Sequence, residues 1–140
     1  MGVLASYSIE IASEDGVVRV RNQVREVALR AGFDAFAVAA ISTAASELTR
    51  NAWVHGGGGA ARVEEVEEAG RRGVRVDFRD AGPGIQDVER ALRGGFSTRR
   101  SLGLGLSGTR RLVDEFSIDS TVGVGTHIVI AKWARLGARA

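Results

Sequence analysis

From Tyr7 to Ala12 apolar and polar residues alternate in a β-prone run, which predicts a first strand reaching back to about Leu4. The period then changes. Val17, Val20, Val24, Val27 and Ala31 recur at three and four residues, the apolar stripe of an amphipathic helix that stops near Gly32. Asp34 is placed to cap a second helix running to about Val54, where the run Gly56 to Gly59 ends it. Ala60 to Glu67 and Val74 to Asp80 read as a hairpin around the turn-like Ala69-Gly70-Arg71-Arg72-Gly73. A short helix near Asp87 to Leu92 leads into a glycine-spaced stretch from Gly94 to Gly108, and a further helix covers about Leu106 to Asp114. Two closing strands, Phe116 to Thr121 and Thr126 to Trp133, turn at Gly123 and Gly125. Helices thus alternate with mostly hairpin-connected strands. The expectation is an α+β fold, a two-layer α/β sandwich with helices on one face of a mixed, mostly antiparallel sheet.

At 140 residues the chain suits one domain over 1–140, and with 44% hydrophobic but only 6% aromatic residues its core must be aliphatic. The weakly polar stretch from Phe33 to Ala45 is too short and too interrupted for a membrane span. No basic segment precedes an apolar run at the start, so no signal peptide is read. With no cysteine there is neither a disulfide frame nor a thiolate metal site, and a cytoplasmic protein with no membrane partner is expected. All but one of the 19 Lys and Arg residues are arginine, but Arg19, Arg21, Arg25 and Arg30 are interleaved with Glu14, Asp15 and Glu26. A solvated mixed face, with no nucleic acid as partner, accounts for that better than a concentrated basic surface. The runs Glu64-Glu65 and Glu67-Glu68 read as hairpin surface.

Three places carry candidate chemistry. Asp80 falls on the same parity as Val74, Val76 and Phe78, so it points to the side that faces the core. A carboxylate there is costly unless something pairs with it. The following Ala81-Gly82-Pro83-Gly84-Ile85 is a turn whose glycines admit a ligand close to the backbone, although an ordinary strand-ending turn also reads this way. Glu47 and Asn51 lie four residues apart on one face of the second helix, and His55 extends the row. Asn51 suits a hard cation such as Mg²⁺ and leaves Glu47 free as a base; an exposed polar stripe is the plainer alternative. Finally, Ser101-Leu102-Gly103-Leu104-Gly105-Leu106-Ser107-Gly108 opens into a helix, an arrangement that favours phosphate but matches neither a Walker A loop nor a Rossmann fingerprint.

In this order the three pieces resemble the N, G1 and G2 boxes of the GHKL (Bergerat-fold) ATPase and kinase family, and Gly123-Val124-Gly125-Thr126 resembles its last box. The resemblance spans about Ser46 to Ile128 and implies the cofactors ATP and Mg²⁺. Asp80 would accept a hydrogen bond from the adenine amino group, Gly82 and Gly84 would let the base lie against the loop, and Thr126 would sit near Asp80. Asn51 would hold Mg²⁺ against the phosphates. Gly103, Leu104, Gly105 and Leu106 would wrap the phosphates, with 94–102 as a lid whose Arg99 or Arg100 meets the γ-phosphate. Glu47 would take the proton from the attacking hydroxyl.

Sensor kinases of this family carry a dimerising hairpin with a phospho-accepting His, and gyrase- and Hsp90-type members carry a following domain that supplies a Lys. Neither is read here, since the histidines are His55 and His127 and the glycine boxes take up most of the chain. The resemblance is therefore to the stand-alone serine kinase branch. It implies a serine/threonine protein kinase acting on a STAS-domain antagonist or scaffold protein in a bacterial partner-switching pathway, with a PP2C-type phosphatase as a further partner. An anti-sigma kinase that sequesters a sigma factor, and a nucleotide-gated binding module without catalysis, are the rival readings.

Overall fold

The computed structural model describes residues 2–93 and 105–135. Strand β1 (Gly2–Ile11) leads into helices α1 (Glu14–Arg30) and α2 (Ala35–Val54), followed by the hairpin β2 (Gly59–Glu68) and β3 (Arg71–Asp80). Two short helices, α3 (Val88–Arg93) and α4 (Gly105–Arg111), precede the closing strands β4 (Glu115–Thr121) and β5 (Gly125–Trp133). Both long helices start where local chemistry says they must. The Ser13 side chain accepts from Asp15 N–H at 3.2 Å, and the Asp34 carboxylate accepts from Ala37 N–H at 2.8 Å.

The sheet order is β1-β2-β3-β5-β4. The mixed sheet expected from the alternation of elements is antiparallel at every described pairing. The reason lies in the last two strands: β4 arrives after the helical crossover, and β5 hairpins back between it and β3, separating two strands that run the same way. Helices α1 and α2 cover one face. Val20, Val24 and Val27 from α1 and Ile41, Ala45 and Leu48 from α2 meet Ile9, Val63, Val76, Phe78 and Ile130 of the sheet in one core. Alanines at the inner positions of α2 let the two helices approach closely, so a largely aliphatic chain fills the layer without many aromatics.

Three local expectations are refined. The hairpin turn is only Ala69-Gly70, both at positive φ (54° and 81°), because a two-residue turn of that hand matches the strand twist; Arg71 to Gly73 belong to β3. Helix α4 ends at Arg111 and not Asp114, since Asp114 already joins the sheet: its N–H donates to Ala131 O and its carboxylate accepts from Trp133 N–H at 2.8 Å. The third is a correction. Glu64 and Glu65 are buried rather than hairpin surface, because each meets arginine across strands or from a helix. Arg75 reaches Glu64 with Nε at 2.9 Å and Nη2 at 2.6 Å. Glu65 takes Arg30 from the end of α1 at 3.0 Å and Arg72 at 3.4 Å.

The Glu65 cluster ties α1 to the hairpin. Arg30→Ala should lower stability by about 1 kcal/mol in urea unfolding; the loss is held down because Arg30 is partly solvated and Arg72 stays in reach. A midpoint identical to the parent's would show that the ion pair contributes nothing.

Candidate active site

The sheet's register gathers the site. Ile11, Gly59, Asp80, Thr126 and Ser120 are successive cross-strand partners on β1, β2, β3, β5 and β4, so they form one transverse row at the end of the sheet. Residues directly opposite on neighbouring antiparallel strands project to the same face. Asp80 and Thr126 therefore border one spot beneath the C-terminal end of α2, as the parity of Asp80 predicts.

Backbone shapes that spot. Asp80 Oδ1 accepts from Gly82 N–H at 2.9 Å, an Asx turn that uses one carboxylate oxygen and leaves Oδ2 on the side of Gly56. Gly56, two residues beyond α2, leaves room for this carboxylate: a Cβ there would lie 2.5 Å from Asp80 Cγ and 2.7 Å from Oδ2. A Cβ on Gly82 would in turn lie 2.6 Å from Gly56 Cα. Gly84, at φ +80°, packs so closely on the β4–β5 turn that a Cβ would lie 2.5 Å from Thr121 O. The loop is tied to that turn by Gly123 N–H donating to Pro83 O at 2.9 Å and Ile85 N–H donating to Ser120 Oγ at 2.8 Å. Because a Cβ on Gly56 would also lie 2.7 Å from Ala52 O, Gly56→Ala should displace the Asp80 carboxylate and shift the end of α2 together, lowering the melting temperature and, if Asp80 meets a nucleotide, the affinity for it by about tenfold or more. Calorimetry beside a melting curve checks this; unchanged affinity would mean that the carboxylate moves aside freely.

On α2, Glu47 has a side chain only 14% exposed, with Arg50 at 3.4 Å. Burial pushes the Glu47 carboxyl above the ordinary carboxylate range, and the Arg50 guanidinium only partly offsets this. Asn51 is half-buried one turn further on, at the end nearest Gly56. Its amide oxygen is a hard neutral donor, and no described residue bonds the Asn51 side chain, so this position fits a Mg²⁺ shared with phosphate oxygens. His55 caps α2 and is exposed. Gly105 opens α4 at φ +70°, with open space where a Cβ would be, and its carbonyl is held by Thr109 Oγ1 at 2.7 Å. Leu106 packs its side chain against the core, which leaves only its backbone N–H for a ligand. Helix α4 packs on α2. Arg99, Arg100, Gly103 and Leu104 lie outside the described residues.

Sequence reasoning missed Gly56 and Ser120. Gly56 looks like a mere helix terminator. Ser120 carried a readable signal: it shares the inward parity of Phe116 and Ile118, the same misfit that singled out Asp80. A groove of about 670 Å³ lined by Phe33, Phe36, Lys132 and Trp133 lies at the other end of α2, and no candidate site residue lines it.

A sheet-end carboxylate, a helix-borne Glu and Asn, and glycine turns on either side define a nucleotide-binding ATPase and kinase fold. The family model described as histidine kinase-like ATPase domain matches residues 11–132, and the chain belongs to that family. Within it the chain belongs with the serine/threonine protein kinases. It is 42% identical over 127 residues to the serine/threonine-protein kinase RsbT of Bacillus subtilis (strain 168), covering 91% of this chain and 96% of RsbT. It is also 30% identical over 101 residues to the anti-sigma F factor of Thermoanaerobacter sp. (strain X514), covering 69% of this chain and 70% of that factor. The crystal structure of the RsbU and RsbW domains of a Mycobacterium tuberculosis protein shares the fold, with a TM-score of 0.64 at 24% identity over 94% of this chain and 33% of that one.

Proposed function

We propose that this chain transfers the γ-phosphoryl group of Mg-ATP to a serine or threonine of a STAS-domain antagonist or scaffold protein, as the switch kinase of a cytoplasmic partner-switching pathway. The single observation that carries the reading is the Asp80 carboxylate seated against Gly56 at the end of α2, the helix that also bears the desolvated Glu47. Asp80 and Thr126 hold adenine, with Gly82 and Gly84 giving it room. Asn51 would hold the metal, which when bound would neutralise phosphate charge. By the family resemblance, backbone N–H groups of Gly103 to Leu106 would line the phosphates, and Arg99 or Arg100 would meet the γ-phosphate. Glu47 takes the proton from the substrate hydroxyl while that hydroxyl's oxygen bonds to the γ-phosphorus; the bond from that phosphorus to the β,γ-bridging oxygen breaks, and ADP leaves. The chain's main contribution is alignment of these groups.

Likeness to RsbT over nearly the whole length of both chains supports a STAS-domain substrate, and release from that complex would free the kinase to activate a PP2C-type phosphatase. The anti-sigma F likeness favours a second reading, in which the kinase also sequesters a sigma factor; co-purification of a sigma factor with the ADP-bound chain would establish it. A purely nucleotide-gated module is the poorer account, because binding alone gives no reason to desolvate Glu47. Incubation with labelled ATP, Mg²⁺ and STAS-domain proteins encoded beside this chain should label one of them on a hydroxyl residue. Absence of label on every such protein, with ATP bound, would overturn the substrate assignment.

A further inference from the structure

The hydroxyl of Ser120 has one proton and two lone pairs, and three groups lie against it. Ile85 N–H, at 2.8 Å, is able only to donate. Gly125 O, at 3.3 Å, is able only to accept. Thr126 Oγ1, at 2.8 Å, is able to do either. One assignment satisfies all three: Ser120 Oγ accepts from Ile85 N–H and from Thr126 O–H, and gives its own proton to Gly125 O. The reverse sense, with Ser120 donating to Thr126, would leave the Gly125 carbonyl facing a second acceptor with no proton between them. The proton of Thr126 is thereby committed inside the protein, and Thr126 Oγ1 shows only lone pairs to a third group.

Beside Thr126 on the row stands Asp80, whose Oδ1 is occupied by Gly82 N–H and whose Oδ2 carries lone pairs alone. Among the described residues the end of the sheet therefore presents the Asp80 and Thr126 oxygens as two acceptors side by side. We propose that Ser120 is a positioning residue that sets base specificity: by holding the Thr126 proton it makes the Asp80–Thr126 pair select a purine with an amino group at C6 over one with a carbonyl there. This rests on the nucleotide reading above and deepens it. An exocyclic amino group offers two N–H donors and satisfies both acceptors. A 6-oxopurine brings a carbonyl oxygen and an adjacent N1–H. Its N1–H is able to meet Asp80, but its O6 then faces Thr126 with acceptor against acceptor. Sites built to hydrogen-bond one pattern reject the wrong one strongly, because polar groups are left unpaired.

Removing the Ser120 hydroxyl releases the Thr126 proton. Thr126 is then free to donate to O6 while N1–H donates to Asp80, so the 6-oxo base gains a partner that the parent denies it. The same change leaves Ile85 N–H without its acceptor, which loosens the loop for both bases alike. Specificity, the ratio of the two affinities, separates the proton-holding role from a merely structural one.

The test is calorimetric titration of the parent, Ser120→Ala, Ser120→Thr and Thr126→Val with ADP and with IDP. The parent should bind ADP more tightly than IDP by about 100-fold or more. Ser120→Ala should narrow that ratio by about tenfold, the value of one hydrogen bond exchanged for a clash, whatever happens to the absolute affinities. Ser120→Thr keeps the hydroxyl and should restore the parent's ratio. Thr126→Val deletes the acceptor and should narrow the ratio in the same direction, which keeps the assignment refutable if Ser120→Ala does not fold. An unchanged ratio in Ser120→Ala or in Thr126→Val, or equal loss of both ligands, overturns the Ser120 assignment and leaves the nucleotide site standing. A parent that binds neither ADP nor IDP overturns both.

Discussion

Glu47→Gln should bind Mg-ADP and Mg-ATP as the parent does and transfer phosphate about 10² to 10⁴ times more slowly, the range that a positioned general base supplies. Glutamine keeps the shape of the side chain, so neither the pocket nor α2 has reason to rearrange. The variant separates chemistry from binding: kcat falls while the nucleotide affinity measured by calorimetry stays. Parental turnover in this variant would mean that the proton leaves by another route. The rate of the parent should also carry the mark of Glu47 burial. Its carboxyl is raised by desolvation, so the base form is lost on acidification at a higher pH than for an exposed glutamate. The acid limb of the profile should vanish in the residual activity of Glu47→Gln.

The same shift bears on stability with a definite sign. A carboxyl whose folded-state pKa lies above its unfolded value stabilises the fold fully below the unfolded pKa, and that contribution is lost as pH rises through the folded value. At neutral pH the charged Glu47 is therefore held against a penalty. Glu47→Gln should melt no lower than the parent near neutrality, and its advantage should shrink as the pH is lowered. A strained, partly desolvated carboxylate kept on an otherwise small-residue helix is what a functional site looks like energetically.

Asp80→Asn should weaken ADP binding by about 100-fold, and the direction follows from the turn around it. Gly82 N–H requires an acceptor, so the amide oxygen of asparagine takes the place of Oδ1. The NH₂ group is then aimed at the base, where it meets the adenine amino group donor against donor. One charge-assisted hydrogen bond is lost and one mismatch is created, together about 3 kcal/mol. Calorimetry reads this directly. An affinity within a factor of two of the parent's would remove Asp80 from the binding site and with it the orientation of the nucleotide.

How much of this was readable along the chain depends on the range of the physics involved. The stripe Val17-Val20-Val24-Val27, the cap at Asp34 and the alternation in β3 are set by neighbours within a few residues, and the helices and strands stand where those patterns put them. Asp80 announced itself the same way, as a charge on the apolar parity. The assignment of roles to Glu47, Asn51 and the glycine boxes came from family resemblance, since their spacing alone favoured an ordinary polar stripe and an ordinary turn. Glu64 and Glu65 misled because a glutamate's burial depends on which arginine the fold brings to it: Arg30 comes from 35 residues away in sequence.

Periodicity, caps and turn residues, all local, were enough to establish that this chain makes two amphipathic helices over a layer of five mostly antiparallel strands and that a carboxylate sits at one strand's end. Strand order was not local. Only the insertion of β5 between β3 and β4 sets Ser120 beside Thr126 and Thr126 beside Asp80, and only the close of α2 over that row makes Gly56 matter. Those contacts are settled by packing of the whole sheet against its helices, an energy that no short window of sequence contains.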